Sequence, residues 1–434
     1  MNVVMMTNTF LPHVGGVARS VAAFSAEYRR RGHRVLVVAP EFPDVQANEV
    51  DVLRIPAIQN FNASDFSVAL PLPSGLSEAL DAFEPDIVHA HHPFLLGMSG
   101  LRAARARQLP LVFTHHTLYE QYTHYVPGDS PRLQRFAIEL ATAYANLCDQ
   151  VFAPSNSIAE LLHERGVTTP ISEIPTGVQV KDFTRGDGRG FRHRMSIPAD
   201  AFVVGHLGRL APEKNLDFLA RAVAEFLRID SNSHFLVIGS GPSEADILEV
   251  FNTEGLAERL HLAGVLQATE LADALHAMDV FAFASHSETQ GMVLTEAMAA
   301  GVPVVALDAP GAREVVSDGI NGRLLEHQQR TAFADALSWL AGRSPQQRDA
   351  LTQAARTTAN RFSLQHTAEK ALSVYADTLT RSQGKPSIHD EDSENQALDR
   401  AINLIRAEWE IVKGMAEAGG TALTETDATG PERE

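Results

Sequence analysis

The sequence predicts an α/β protein of two successive domains, each a parallel sheet with helices on both faces. Three observations carry this. Short apolar runs such as VLVV (35–38) and VFAFA (280–284) lack alternation, as strands buried on both faces do. Segments of helical length separate those runs. The pattern stops at GVQVKDFTRGDGRGFRHRM (177–195), rich in glycine and charge and without a period, and then resumes.

In the first series NVVMMTN (2–8) reads as a strand. A helix from Ala18 to Arg31 follows and closes at Gly32. Strands come next at HRVLVVAP (33–40) and VDVLRIPA (50–57). LSEALDAF (76–83) reads as a helix and DIVHAHH (86–92) as a strand. LGMSGLRAARARQL (96–109) is helical and PLVFTHH (110–116) a strand. The long helix RLQRFAIELATAYANLCD (132–149), the strand QVFAPS (150–155) and the helix IAELLHERG (158–166) complete the series.

The second series has strands at AFVVGHLG (201–208), HFLVIGSG (234–241), LHLAGV (260–265), VFAFAS (280–285), PVVAL (303–307) and GRLL (322–325), with helices between. SLQHTAEKALSVYADTLTR (363–381) is a further helix. The expected division is residues 1–183, residues 184–362, a helix within 363–384, and an extension over 385–434. In the extension, KPSIHDEDSENQ (385–396) reads as an acidic linker. Leu398, Ile402, Ile405, Trp409 and Val412 then line one face of a helix over 397–417, and 418–434 reads as a disordered tail.

Composition narrows the classes. The chain has 434 residues, 44% apolar and 21% charged, which excludes collagen-like and disordered proteins. The one cysteine, Cys148, cannot close an internal disulfide, and a reducing, cytoplasmic setting is expected. The first residues lack the basic region of a signal peptide, and no apolar run reaches the ~18–20 residues of a membrane span. The net charge of −18 divides into −5 over residues 1–183, −6 over 184–384 and −7 over the last fifty. Such a chain is not expected to bind nucleic acid, because phosphate contacts need a positive field.

In open parallel sheets ligands sit at the carboxyl ends of strands. Several chemically apt residues follow strands here. Gly15 and Gly16 stand between the first strand and the first helix, where a bare backbone approaches an anion or simply turns. Arg209 and Lys214 lie in GRLAPEKN (208–215), and two cations past a strand end suit a diphosphate. Glu288 and Glu296 lie in SETQGMVLTEAMAAG (287–301), one in a loop and one a turn inside the helix that starts near Gly291. Neither glycine cluster fits the G-x-G-x-x-G spacing of a dinucleotide site.

The ordered set GGV, GRLAPEKN, GSGP and E-x7-E resembles the retaining glycosyltransferases of the large GT-B family four, over about residues 1–381. The resemblance implies two Rossmann-like, doubly wound domains facing a cleft, with a sugar nucleotide on the second and an acceptor on the first. It implies that Arg209 and Lys214 grip the donor diphosphate, that Glu288 meets the sugar hydroxyls and that Glu296 binds the ribose. It assigns the amides of Gly291, Met292 and Val293 to sugar and phosphate, and adds Gly15, Gly16, Gly241 and Leu266 to the donor contacts.

HHPFLLG (91–97) and THHTLYEQYTHYVP (114–127) are similar to stretches in diacylglycerol glucosyltransferases and related lipid enzymes. In that branch His116 lies beside the donor sugar. The branch implies a UDP-linked hexose, glucose in the first place, and a lipid acceptor. A glycan, a small soluble acceptor, or sugar-nucleotide binding without catalysis are the alternatives.

His89, His91, His92, His115, His116 and His124 raise the question of zinc. No cysteine partner or H-E-x-x-H accompanies them, and the family chemistry needs no metal, so hydrogen bonding to sugar hydroxyls is expected instead. A lipid acceptor implies peripheral docking on the inner face of the cytoplasmic membrane. Arg102, Arg105 and Arg107, and Arg132 with Arg135 beside Phe136, Ile138 and Leu140, are the candidate docking groups. The apolar stripe over 397–417 is expected to cover a second subunit or the first domain.

Overall fold

The computed structural model describes all residues except 14, 43–48, 59–67, 70–74, 122–129, 267, 287 and 384–434. His124 and the linker, stripe and tail expected over 385–434 lie outside the described residues. The chain forms two compact units. One holds residues 1–175 together with the chain from Thr367 onward; the other is Thr176–His366.

The first unit opens with β1 (Asn2–Met6), α1 (Gly16–Arg30), β2 (Arg34–Pro40) and β3 (Val52–Ile55). The short strands β4 (Ala57–Ile58) and β5 (Val68–Ala69) pair antiparallel. There follow α2 (Leu76–Phe83), β6 (Ile87–Ala90), α3 (Leu96–Ala106) and β7 (Leu111–Thr114). The remainder is α4 (Pro131–Asn146), β8 (Gln150–Ala153), α5 (Asn156–Glu164) and β9 (Ile171–Glu173). Seven parallel strands run in the order β3-β2-β1-β6-β7-β8-β9.

The second unit begins with two short helices, α6 (Val180–Phe183) and α7 (Gly188–Arg194). It continues through β10 (Phe202–Leu207), α8 (Leu216–Ile229), β11 (Ser233–Ile238), α9 (Glu244–Thr253), β12 (Leu260–Gly264) and α10 (Ala268–His276). Next come β13 (Val280–Phe283), α11 (Met292–Ala300), β14 (Val304–Leu307) and β15 (Gly322–Leu325). The last helices are α12 (Arg330–Ala341), α13 (Pro345–Arg361) and α14 (Leu364–Gln383). Six parallel strands run β12-β11-β10-β13-β14-β15.

The absence of alternation has the expected cause. On β10, Val203 joins one apolar cluster and its neighbour Val204 another; Phe281 and Val280 on β13 divide the same way. Side chains alternate between faces, and helices cover both, so both parities are apolar.

The stretch 177–195 differs from its reading as a connection. Val178, Phe183 and Phe191 are buried in the core of the second unit, and Asp187 caps α7 by accepting from the Gly190 amide at 2.8 Å. The boundary therefore falls at Pro175/Thr176 rather than at 183/184. The expected helix over 363–381 is α14, and from Thr367 it belongs to the first unit. There Tyr375 is fully buried, stacks on Phe152 and meets Tyr28 edge-on.

Candidate active site

The topological switch point of the second sheet lies between β10 and β13, whose successors in the chain lie on opposite sides of the pair. Such a point opens a crevice at the carboxyl ends of the strands. The loop after β10 carries Arg209 and Lys214, and the loop after β13 carries Glu288. Lys214 Nζ donates to Glu288 Oε1 at 2.5 Å, with both side chains mostly buried. Arg209, exposed, pairs with Glu213 four residues along. Asn215, in a left-handed conformation, caps α8 and donates from Nδ2 to the Ala284 carbonyl at 3.1 Å, joining the two loops.

Gly241 supports this loop by close approach. A Cβ there would lie 2.3 Å from the Leu210 carbonyl oxygen. That absence of a side chain lets the Leu210 amide donate to Ser240 O and the Ser243 amide donate to Leu210 O, both at 2.9 Å. Leu266 and Val293 pack, half-buried, on the cluster that holds β13 and α11.

Gly291 caps α11 with φ 66, a conformation that favours glycine, and Met292 begins the helix. The first amides of a helix have no partner within it, so those of Met292 and Val293 stand at the end of α11 where an anion is favoured. Glu296 is buried one turn inside. A second loop braces the first. Gly311, φ 83, sits so close that a Cβ would lie 2.9 Å from both Glu288 Cβ and the Gly291 nitrogen.

In the first unit the switch point lies between β1 and β6. Gly15 caps α1 in extended conformation, and a Cβ on Gly16 would meet nothing within 4 Å, so this helix start has room beside it. Asn8 and His92 face each other across the same point, the Asn8 amide donating to His92 Nδ1 at 3.1 Å.

The histidines separate into structural and accessible groups. His89 is buried, with Nδ1 2.5 Å from the Tyr375 hydroxyl and Nε2 2.7 Å from Thr114 Oγ1. His115 is buried edge-on against Phe113 and Tyr119. Burial pushes both imidazoles down to about 3. These two are core residues, in contrast to their expected part in binding sugar hydroxyls. His116 is half-buried and shares a hydrogen bond with His91, Nε2 to Nδ1, at 2.9 Å. Burial first, then charge on neighbouring imidazoles, holds His91 and His116 well below the usual histidine range. His116 is thus a neutral hydrogen-bonding group near pH 7. Among the described residues no group of three or more His, Cys, Asp or Glu is placed to hold a metal ion.

Two of the expected basic docking groups are engaged internally. Arg105 donates to Leu147 O at 2.6 Å, and Arg107 pairs with Asp81 and donates to Ser77. Among the described residues no helix is long and apolar enough to cross a membrane.

Sequence reasoning missed four supporting residues: Glu213, Asn215, Gln290 and Gly311. For Asn215 a signal existed, since asparagine tolerates the left-handed region at a helix start. For Gln290 none did.

Residues 14–182 match the family described as Glycosyltransferase Family 4, and residues 201–343 match Glycosyl transferases group 1. The chain is 30% identical to the alpha-monoglucosyldiacylglycerol synthase of Streptococcus pneumoniae, covering 78% of each. It is 31% identical to the GDP-mannose-dependent alpha-mannosyltransferase of Mycobacterium tuberculosis, over 76% of this chain and 87% of that one. The fold matches the crystal structure of Anabaena HepE in complex with UDP, with TM-score 0.69 at 21% identity over 87% of this chain and 100% of that one. The two Rossmann-like units are those of a GT-B enzyme, and the chain belongs to glycosyltransferase family 4.

Proposed function

We propose that the chain transfers glucose from a UDP-linked donor to the hydroxyl of a lipid such as diacylglycerol, with retention of anomeric configuration. The observation that carries the donor site is the Lys214–Glu288 pair at the switch point, beside the amide end of α11. Glucose and diacylglycerol are supported by similarity to the pneumococcal synthase.

In this reading Arg209 and Lys214 turn from their carboxylate partners to the diphosphate. The amides of Met292 and Val293 share its charge. Glu288, released from Lys214, accepts from sugar hydroxyls, and Glu296 accepts from the ribose. As the bond from the sugar to the phosphate lengthens, charge grows on the leaving oxygens, and these preplaced donors stabilise that charge more than the ground state. The acceptor oxygen attacks from the face the phosphate leaves, and its proton passes to a phosphate oxygen. No protein nucleophile and no resident metal take part. Neutral His116 donates to or accepts from the donor sugar without adding charge. The acceptor is met at the inner face of the cytoplasmic membrane through peripheral contact.

The mannosyltransferase relative favours a second reading, the same chemistry with a GDP-linked mannose. A panel of UDP-glucose and GDP-mannose, crossed with diacylglycerol vesicles and a soluble glycan and read by mass spectrometry, separates them. Glucosyl-diacylglycerol from UDP-glucose is expected. A mannosylated product alone, or a glycosylated soluble glycan alone, would replace the proposal.

A further inference from the structure

Between Glu288 and Gly291 stands Gln290, a buried amide whose hydrogen bonds go elsewhere. Its Oε1 accepts from the Thr176 amide at 2.6 Å, and its Nε2 donates to the Thr176 carbonyl at 2.5 Å. Both residues are nearly inaccessible, Gln290 at 6% and Thr176 at 4% exposure. One side chain thus holds both polar groups of one residue's backbone, as a neighbouring strand would. Thr176 is also the first residue of the second unit.

The return crossing is joined to the same segment. The Val178 amide donates to Phe362 O at 2.8 Å, the Leu364 amide donates to Val178 O at 2.9 Å, and Val178 bridges Ser363 in parallel register. The chain leaves the second unit just beyond, at His366/Thr367. Gln290 therefore ties the loop of Glu288 and Gly291 to the pair of segments by which the chain enters and leaves this unit.

We infer that Gln290 is a positioning residue of the donor site, which sets Glu288 and the amide end of α11 by clamping their loop to Thr176. The inference rests on the donor-site reading above. An apolar side chain of equal length could fill the space. Only a group that donates and accepts together holds the Thr176 backbone on both sides, because a buried polar group left unpaired is costly.

This requirement supplies a test with a pH signature. In Gln290→Glu a carboxylate cannot donate to the Thr176 carbonyl, whereas the protonated acid restores the donor–acceptor pair. Burial beside a carbonyl raises a carboxyl pKa, so the recovery belongs between pH 8 and 6. Two readouts are compared with wild type over that range: kcat/KM with UDP-glucose, and hydrogen exchange of the Thr176 amide in the ligand-free full chain. Gln290→Glu is expected to lose about ten-fold in kcat/KM at pH 8. It should regain much of this, and its Thr176 protection, toward pH 6. Gln290→Met, which keeps the shape, should lose both at every pH.

A Gln290→Glu to wild-type ratio that does not change with pH, or Thr176 exchange unaltered in both variants, would overturn the inference. Lys214→Ala, assayed alongside, separates the two levels. If it binds UDP-glucose as wild type does, the donor site is misplaced, while the exchange data still decide whether the clamp exists.

Discussion

Lys214 and Glu288 neutralise each other at 2.5 Å where a diphosphate would need the lysine and a sugar hydroxyl would need the carboxylate. In the proposed donor site each partner thus stands in for a ligand group. Removing the lysine has two consequences: the developing negative charge loses a preplaced cation, and Glu288 loses its counter-charge in a mostly buried place. Lys214→Ala is expected to lower kcat/KM by roughly 10²–10³, the loss typical of removing one donor to a transition-state anion. Arg209→Ala should act in the same direction. Steady-state kinetics on folded protein, verified by circular dichroism, checks this; near wild-type values in both variants would reject their roles.

Arg209 is exposed while Glu213 is mostly buried, and solvent around the guanidinium keeps their pair weak. In the proposed reading, Glu213→Gln removes a carboxylate that competes with the diphosphate for Arg209. Donor KM is expected to fall up to about five-fold with kcat unchanged, since an exposed pair is worth about 0.2–1 kcal/mol. A rise in donor KM would instead show that Glu213 supports binding.

Residue type told much at this scale and left some undecided. Arg209, Lys214 and Glu288 could be singled out because charge after a strand end needs a reason, and the structure brings Lys214 and Glu288 together. The histidines were not separable, since His89, held by Tyr375 and Thr114 inside β6, and His116, half-exposed just past β7, are the same letter in two runs that read alike. Gln290 gave no signal, because a polar residue in a loop is ordinary until its buried partner is seen.

At the scale of elements, two loops press together at the head of α11. A Cβ on Gly311 would lie 2.8 Å from the Gln290 carbonyl carbon as well as near Glu288 and Gly291, and φ 83 is itself unfavourable for other residues. Gly311→Ala combines backbone strain of about 1–3 kcal/mol with displacement of the donor loop. A lowered melting temperature is expected, together with a fall in kcat/KM that persists well below the melting range. Thermal denaturation, and kinetics ~20 °C below the variant's own midpoint, check it. A variant with wild-type kinetics would show that the loop does not depend on this contact.

The strands and the helices between them were legible because burial on both faces writes itself as unbroken apolar runs; α12 and α13, which follow the last strand, were not among the elements read. Nor were helices α6 and α7. Each is about one or two turns long, and Phe183 and Phe191 are their buried apolar side chains, with Val180 packed beside them, too few for a period to appear. β9, with Ile171, Ser172 and Glu173 all half-buried at the sheet edge, escaped for a similar reason.

Across the whole molecule, pH is an expected lever on stability. His89 and His115 stay neutral in the folded state down to about pH 3, because burial opposes their charged form. Unfolded histidine titrates near 6.5. Above that value both states are neutral and the effect vanishes. Below it the unfolded chain binds protons that the folded core refuses, so stability falls by about 1.4 kcal/mol per pH unit for each such histidine. His91 adds in the same direction. Glu27, held at about 2 by Arg30 and Arg31, adds its loss only below about pH 4.5. The melting temperature should be level from pH 8 to 7 and fall steeply between 6.5 and 5. A level curve down to pH 5 would mean that these imidazoles are protonated in the fold.

The return of α14 to the first unit is a whole-chain property, and periodicity along the sequence could not carry it. It rests on Tyr375 finding His89, Phe152 and Tyr28, residues between 223 and 347 positions earlier in the chain. The most direct test of the proposed function lies at the same scale. NMR of the first-formed product from UDP-α-glucose and diacylglycerol reads the anomeric configuration that the enzyme creates. An α-linked glucolipid is expected, because the acceptor attacks from the face the diphosphate leaves; a β-linked product would contradict retention and the front-face course with it.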